Sequence, residues 1–172
     1  MKKLFEQALI VQNFLLKQKW EFCFIGGIAL IRWGEPRLTQ DMDITIFTGF
    51  GNEKKYIEIL CDNFNKRIKD AEEFALKNRV LLLETDEGIP IDISLGGIEY
   101  ERKIIKRASN FRFLENIILI TCSAEDLIVL KAFADRTQDW ADIEGIILRQ
   151  GKKLDWNYIE KEINYRCINI LN

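Results

Sequence analysis

The residues best suited to chemistry stand in the segment FIGGIALIRWGEPRLTQDMDITIF, residues 24–47. Gly26-Gly27 follows an apolar, aromatic run and opens a short helical stretch. With no Cβ at either position, a phosphate can approach the bare backbone. The helix that starts there offers unpaired N–H groups and the positive end of its dipole to the same anion. Asp41 and Asp43 stand two apart at the start of an extended run, so both carboxylates point to one face. So placed, they repel each other unless a cation sits between them. Magnesium takes one or two carboxylates together with substrate phosphates, which is the chemistry this pattern supports. A lone Gly-Gly is more often a turn, and a lone Asp-x-Asp a solvated strand start. The order strand, Gly-Gly, short helix, Asp-x-Asp is what sets the segment apart.

The chain has 172 residues and no histidine. That excludes Ser-His and Cys-His nucleophilic mechanisms and removes the commonest zinc ligand. Catalysis must rest on carboxylates, lysine, arginine or a hard metal. Cysteines lie at 23, 61, 122 and 167 without a CxxC pair. Cys23, Cys122 and Cys167 have apolar neighbours and read as buried free thiols of a reducing cytosol. A net charge of -2 argues against a dedicated duplex-binding protein. No apolar run approaches the roughly 20 residues that span a bilayer. The N-terminus begins with two lysines like a signal peptide. Glu6, Gln7, Gln12 and Asn13 then interrupt the apolar stretch, and no cleavage site follows, so a cytoplasmic protein is expected.

The elements that must position these residues follow from periodicity. Leu4, Phe5, Leu9, Ile10 and Phe14 recur at helical spacing, so residues 3–18 read as an amphipathic helix. Residues 20–25 read as a strand, 28–33 as a short helix and 42–47 as a strand. After Gly49 and Gly51 a helix is expected through about Lys69, with a second one over 71–78. Residues 80–84 and 89–94 read as a hairpin. A basic helix is expected over 99–109 and a short apolar segment over 116–121. Ser123 is an N-cap for a helix to about 134. Further helices cover 138–148 and 155–170, the last with Trp156, Ile159, Ile163 and Ile170 near one face. Trp20, Trp33, Trp140 and Trp156 read as core residues. The fold class is α/β (α+β): a small mixed sheet with flanking helices, followed by a helical C-terminal part.

The pattern GG-x-A-L followed by R-x-T-x-D-x-D-I resembles the DNA polymerase beta-type nucleotidyltransferase superfamily, and within it the abortive-infection type II toxin group. The resemblance covers nearly the whole chain. It implies a nucleotidyltransferase core over 1–110 and a mainly helical subdomain over 111–172. It implies that Gly26 and Gly27 hold a nucleoside triphosphate, ATP among the candidates, and that Asp41 and Asp43 bind two Mg2+ (or Mn2+) ions. A third aspartate completes the metal site and acts as general base. Asp92, in IPIDIS, stands in that position, on an apolar strand where an unpaired carboxylate is costly. The segment 123–146 resembles the family's C-terminal motif of a lysine and a later Asp-x-x-Asp, here Lys131, Asp139 and Asp142. Lys131 is expected to reach the triphosphate as a point charge. Arg136, Asp139 and Asp142 either form an ion-pair network or shape the cleft. Where the group often carries a basic residue before the first of these aspartates, this chain has Thr137-Gln138. Thr39 positions the loop or touches a phosphate. Arg37 pairs with Asp41, contacts nucleotide or is a solvated loop residue.

The toxin-like resemblance implies an RNA acceptor, such as a tRNA end, or a protein side chain, with a cognate antitoxin as partner. Arg102, Lys103, Lys106, Arg107 and Arg112 would form a basic patch for a phosphate backbone, although such runs are more often solvated helix faces. Antibiotic-modifying nucleotidyltransferases share the Gly-Gly and Asp-x-Asp signature, so a small-molecule acceptor is the alternative. A non-catalytic nucleotide-binding or antitoxin-like partner is a further reading.

Overall fold

The computed structural model describes the backbone of residues 1–170 and the side chains through Tyr165. Cys167 and Ile170, assigned above to apolar surroundings, lie outside the described side chains. The chain runs α1 (Lys2–Lys17), β1 (Phe22–Phe24), α2 (Gly26–Trp33), β2 (Met42–Phe47), α3 (Glu53–Cys61), β3 (Asn65–Lys66), α4 (Ala71–Asn78), β4 (Val80–Glu84) and β5 (Pro90–Gly96). It continues with α5 (Glu99–Arg107), β6 (Ser109–Leu114), β7 (Ile117–Thr121), α6 (Ala124–Ala134), α7 (Thr137–Gln150) and α8 (Trp156–Ile170). The strands form one seven-stranded mixed sheet in the order β3-β4-β5-β2-β1-β7-β6.

Period-two alternation builds the middle of the sheet. Met42, Ile44 and Ile46 of β2 and Ile91, Ile93 and Leu95 of β5 are buried toward the core that also takes Leu4, Phe5, Val11 and Leu15 of α1. A second core on the opposite side joins Ala29 and Leu30 of α2, Tyr100 and Ile104 of α5, Leu127 and Ile128 of α6, and Ile143 and Ile146 of α7. On β4 and β5 the alternate positions on this second side are only half-buried. That leaves part of the sheet face open beside Asp92.

The structure departs from the sequence reading in several places. The helix after Gly51 ends at Cys61 instead of running to about Lys69, and the edge strand β3 pairs with β4 in its place. β6 was unexpected because its residues are largely exposed and lack the alternation that marks a half-buried strand. Gln12, which interrupts the apolar stripe of α1, is buried for a polar reason. Its amide donates to the Ile118 carbonyl at 2.8 Å and accepts from the Ile120 N–H at 2.8 Å, satisfying backbone of β7. Trp140 and Trp156 are not core residues. Trp140 is 52% exposed, because the inward face of α7 is formed by Asp139, Asp142, Ile143 and Ile146. Cys23 and Cys122 are buried free thiols, and Cys61 is a half-buried one. Among the described residues no helix is long and apolar enough to cross a membrane.

Candidate active site

β1 delivers the chain to Gly26-Gly27, and β2 returns antiparallel beside it, so the turn and the Asp-x-Asp segment meet at one end of the sheet. The Ile25 N–H donates to the Asp43 carbonyl at 2.9 Å, tying the turn to β2. Gly26 has φ of +53°. A Cβ there would fall 1.9 Å from Asp43 Oδ2, so only glycine lets this carboxylate lie against the backbone. A Cβ on Gly27 would fall 2.4 Å from Thr39 Oγ1. The Gly27 N–H points at Asp43 Oδ2 at 3.4 Å, and the buried Thr39 hydroxyl donates to Asp41 Oδ1 at 2.8 Å. β2 and β5 run parallel with Asp43 beside Asp92. The three aspartates therefore share one rim at the start of α2.

That rim is short of positive charge. Burial, helped by the neighbouring Asp41 and opposed by the Gly27 N–H, pushes the Asp43 carboxyl up to about 6, and Asp92 adds to the rise. Burial also raises Asp92, against the opposing charge of Arg67. Arg67 lies just beyond β3 with Nη2 2.9 Å from Asp92 Oδ1. Apart from this guanidinium, Asp92 Oδ1 is buried without a hydrogen-bond partner among the described residues. Sequence reasoning missed Arg67. Its role depends on the neighbouring order of β3, β4 and β5, which no local spacing reveals. Among the described residues no group of acidic or thiol side chains converges tightly enough to form a ready-made metal cage. The donor set is nonetheless all hard oxygen, of the kind that suits magnesium.

Lys131, Arg37, Arg136, Asp139 and Asp142 come together as a separate cluster. Lys131 Nζ donates to Asp139 Oδ1 at 2.9 Å and to Asp142 Oδ2 at 2.6 Å, with its side chain only 6% exposed. Arg136 Nε donates to Asp139 Oδ2 at 2.6 Å. Arg37 Nε and Nη2 take the two oxygens of Asp142 at 3.2 and 3.3 Å, so Arg37 pairs with α7 and not with Asp41. Gln138, in the place where the resembling group often has a basic residue, donates to Asp142 Oδ1 at 3.3 Å. Burial pushes Asp139 up, but the hydrogen bonds from Arg136 and Lys131 more than reverse it and hold it at about 2. Asp142 is likewise held low by Lys131 and Arg37 in spite of burial. Arg136 links the two clusters, since its charge is felt at Asp43.

The basic run on α5 is largely neutralised. Arg102 pairs with Glu21 at 3.4 Å, Lys103 with Glu162, and Arg107 with Asp126 at 3.0 Å and Glu125 at 3.2 Å. Arg112 donates to the Glu115 carbonyl, and Lys106 is exposed.

No family model matches the chain, and no curated protein matches it in sequence. Solved structures do match its shape. The crystal structure of an antigenic nucleotidyltransferase-like protein from Paracoccidioides brasiliensis aligns with a TM-score of 0.56 at 14% identity, covering 85% of this chain and 76% of that one. The lincomycin-bound lincosamide antibiotic adenylyltransferase LnuA aligns with a TM-score of 0.55 at 16% identity, over 82% of this chain and 95% of that one. The fold is that of the nucleotidyltransferases. The antibiotic-resistance factor ANT(2'')-Ia shares it over 98% of this chain and 92% of its own, with a TM-score of 0.56 and 12% identity. In this chain that nucleotidyltransferase fold brings Gly26, Gly27, Thr39, Asp41, Asp43 and Asp92 to one rim and sets Lys131 aside in an ion-pair cluster.

Proposed function

We propose that this chain is a metal-dependent nucleotidyltransferase. It moves a nucleoside monophosphate, AMP from ATP, to a hydroxyl of a small-molecule acceptor. One observation supports this above the others. Three carboxylates share the rim of a Gly-Gly helix start, where burial first and the neighbouring Asp41 next push Asp43 up to about 6.

Gly26, Gly27 and the first turn of α2 receive the triphosphate through backbone N–H groups. Asp41, Asp43 and Asp92 would hold two Mg2+ ions, or Mn2+, which would polarise the α-phosphate and offset the charge of the leaving group. Asp92 takes the proton of the acceptor hydroxyl as that oxygen bonds to the α-phosphorus. The bond from the α-phosphorus to its bridging oxygen breaks, and pyrophosphate leaves. The raised pKa of Asp92 suits a group that must accept a proton in passing. Thr39 orients Asp41. Arg136, whose side chain is 73% exposed, reaches the phosphates only by giving up its hydrogen bonds to Asp139. Lys131, Asp139, Asp142 and Arg37 act indirectly, by fixing the 35–40 loop against α7.

Two features favour a small molecule over RNA as acceptor. The basic face of α5 is occupied by acidic partners from elsewhere in the chain, and two of the similar structures are an antibiotic adenylyltransferase and an antibiotic-resistance factor. The free thiols fit a cytosolic protein. The test is incubation with Mg2+, each α-labelled triphosphate, and a panel of lincosamides, aminoglycosides and total tRNA. The Asp41→Ala, Asp43→Ala double variant serves as control. Label transferred to a small molecule by the wild type alone is the expected result. Transfer to tRNA would instead favour the toxin-like role with a cognate antitoxin. Nucleotide binding absent from every assay would sink the enzymatic reading and leave a non-catalytic partner.

A further inference from the structure

Among the described residues, Asp92 is the one rim carboxylate with a cation pressed against it. Asp41 is served by the hydroxyl of Thr39 and Asp43 by the N–H of Gly27, both neutral donors. Asp92 Oδ1 faces Arg67 Nη2 at 2.9 Å, with the side chains 27% and 33% exposed on the arginine and aspartate respectively. Apart from that guanidinium the oxygen is buried and has no hydrogen bond. The arginine comes from a loosely held place. It follows the two-residue strand β3, whose residues are both exposed, and it is tied to the sheet by its N–H to the Leu82 carbonyl at 3.1 Å. Leu82 is the ladder partner of Asp92. The guanidinium thus reaches across β4 from the sheet edge to the carboxylate on β5.

We propose that Arg67 is a built-in stand-in for the metal ion, a positioning residue that neutralises Asp92 until a cation arrives and must then let it go. This rests on the nucleotidyltransferase reading above. A guanidinium and a divalent cation compete for the same buried oxygen, and both cannot approach it closely against their mutual repulsion. While Arg67 holds Asp92, the carboxylate is spared part of the cost of lying unpaired beside Asp41 and Asp43. When the cation binds, it must displace an ion pair, so its affinity is lower than the bare carboxylates would give. The edge position of β3 is what makes release easy, because few contacts resist it.

The test is a titration with Mn2+ alone, read as free ion by electron paramagnetic resonance, on wild type, Arg67→Gln, Arg67→Lys, Asp43→Asn and Asp92→Asn. Arg67→Gln is expected to bind Mn2+ roughly threefold to tenfold more tightly than wild type, the range set by losing one partly exposed ion pair. Its metal-free melting temperature should fall, and the rise on adding Mn2+ should grow. Arg67→Lys, a point charge without the planar fork, should fall between the two. If Arg67→Gln does not fold, the Arg67→Lys comparison decides alone, and affinity equal to or weaker than wild type overturns the proposal. Binding that depends on Asp43 and Asp92 but is unchanged or weakened in Arg67→Gln would overturn the role of Arg67 and spare the nucleotidyltransferase reading. Mn2+ binding indifferent to Asp43 and Asp92 in every variant would overturn both.

Discussion

At the start of β2, Asp41, Asp43 and the neighbouring Asp92 crowd one rim. On α7, Asp139 and Asp142 are buried within one turn of each other. The second pair is surrounded by Lys131, Arg136 and Arg37, and Asp139 is held at about 2. The first group has one ion pair, from Arg67, and Asp43 is pushed up to about 6. Both places gather aspartates, three at the rim and two on α7, and burial raises the pKa in both. What differs is the supply of cations by the fold itself. A carboxylate cluster that carries its own counter-charges is architecture. One left short of them is poised for a ligand that brings positive charge.

The largest expected effect comes from breaking the satisfied cluster. Lys131→Met keeps the volume but leaves Asp139 and Asp142 buried with less than their charge compensation. Removing one partner of a buried ion pair costs about 3–5 kcal/mol, so thermal unfolding should drop by roughly 6–12 °C or more for a chain of this size. A drop of about a degree would mean that Arg37 and Arg136 suffice, and that Lys131 is available for another task.

The contrast also has a pH signature. Unfolded, an aspartate titrates near 3.9, whereas folded Asp139 is held at about 2. Because the folded value is the lower one, its stabilisation is full above about pH 4 and is lost as the pH falls toward 2. The loss should be about 2 kcal/mol by that difference. Urea unfolding at about pH 5 and about pH 2.5 checks it. Wild type should lose more stability between the two than Asp139→Asn does, and equal losses would show that Asp139 titrates normally.

The two clusters were not equally legible in the sequence. Gly26-Gly27 and Asp41-x-Asp43 declare themselves because their geometry is local: a turn, and two residues on one face of a strand. Asp92 needed the family resemblance, because nothing near it in sequence reveals that Ile91–Gly96 lies beside β2. The fold class was readable from periodicity, and the long helices were found to within a few residues. The edges were not. β3 and β6 are exposed and carry no burial alternation, so pattern alone cannot distinguish them from loop. Missing β3 is also why Arg67 was missed, since its partner lies two strands away. Gln12 shows the same blindness in a helix, where a polar residue at a buried position looks like an interruption until the strand it serves is known.

The smallest effect has the opposite sign and is the sharpest test of the comparison. Asp43→Asn keeps the shape against Gly26 and an oxygen for the Gly27 N–H, but removes a charge that burial and Asp41 disfavour. Without metal, at about pH 7.5, this variant should be more stable than wild type by about 1 kcal/mol, a value discounted for partial exposure. The same substitution on α7, Asp139→Asn, should destabilise under those conditions, because there the charge is wanted. Addition of Mg2+ and ATP should then reverse the order at the rim: wild type gains stability by ligand linkage and Asp43→Asn gains little. If Asp43→Asn is destabilised without metal, the charge of Asp43 is satisfied by the protein alone, and the rim belongs with the ion-pair cluster on α7 instead of opposite it.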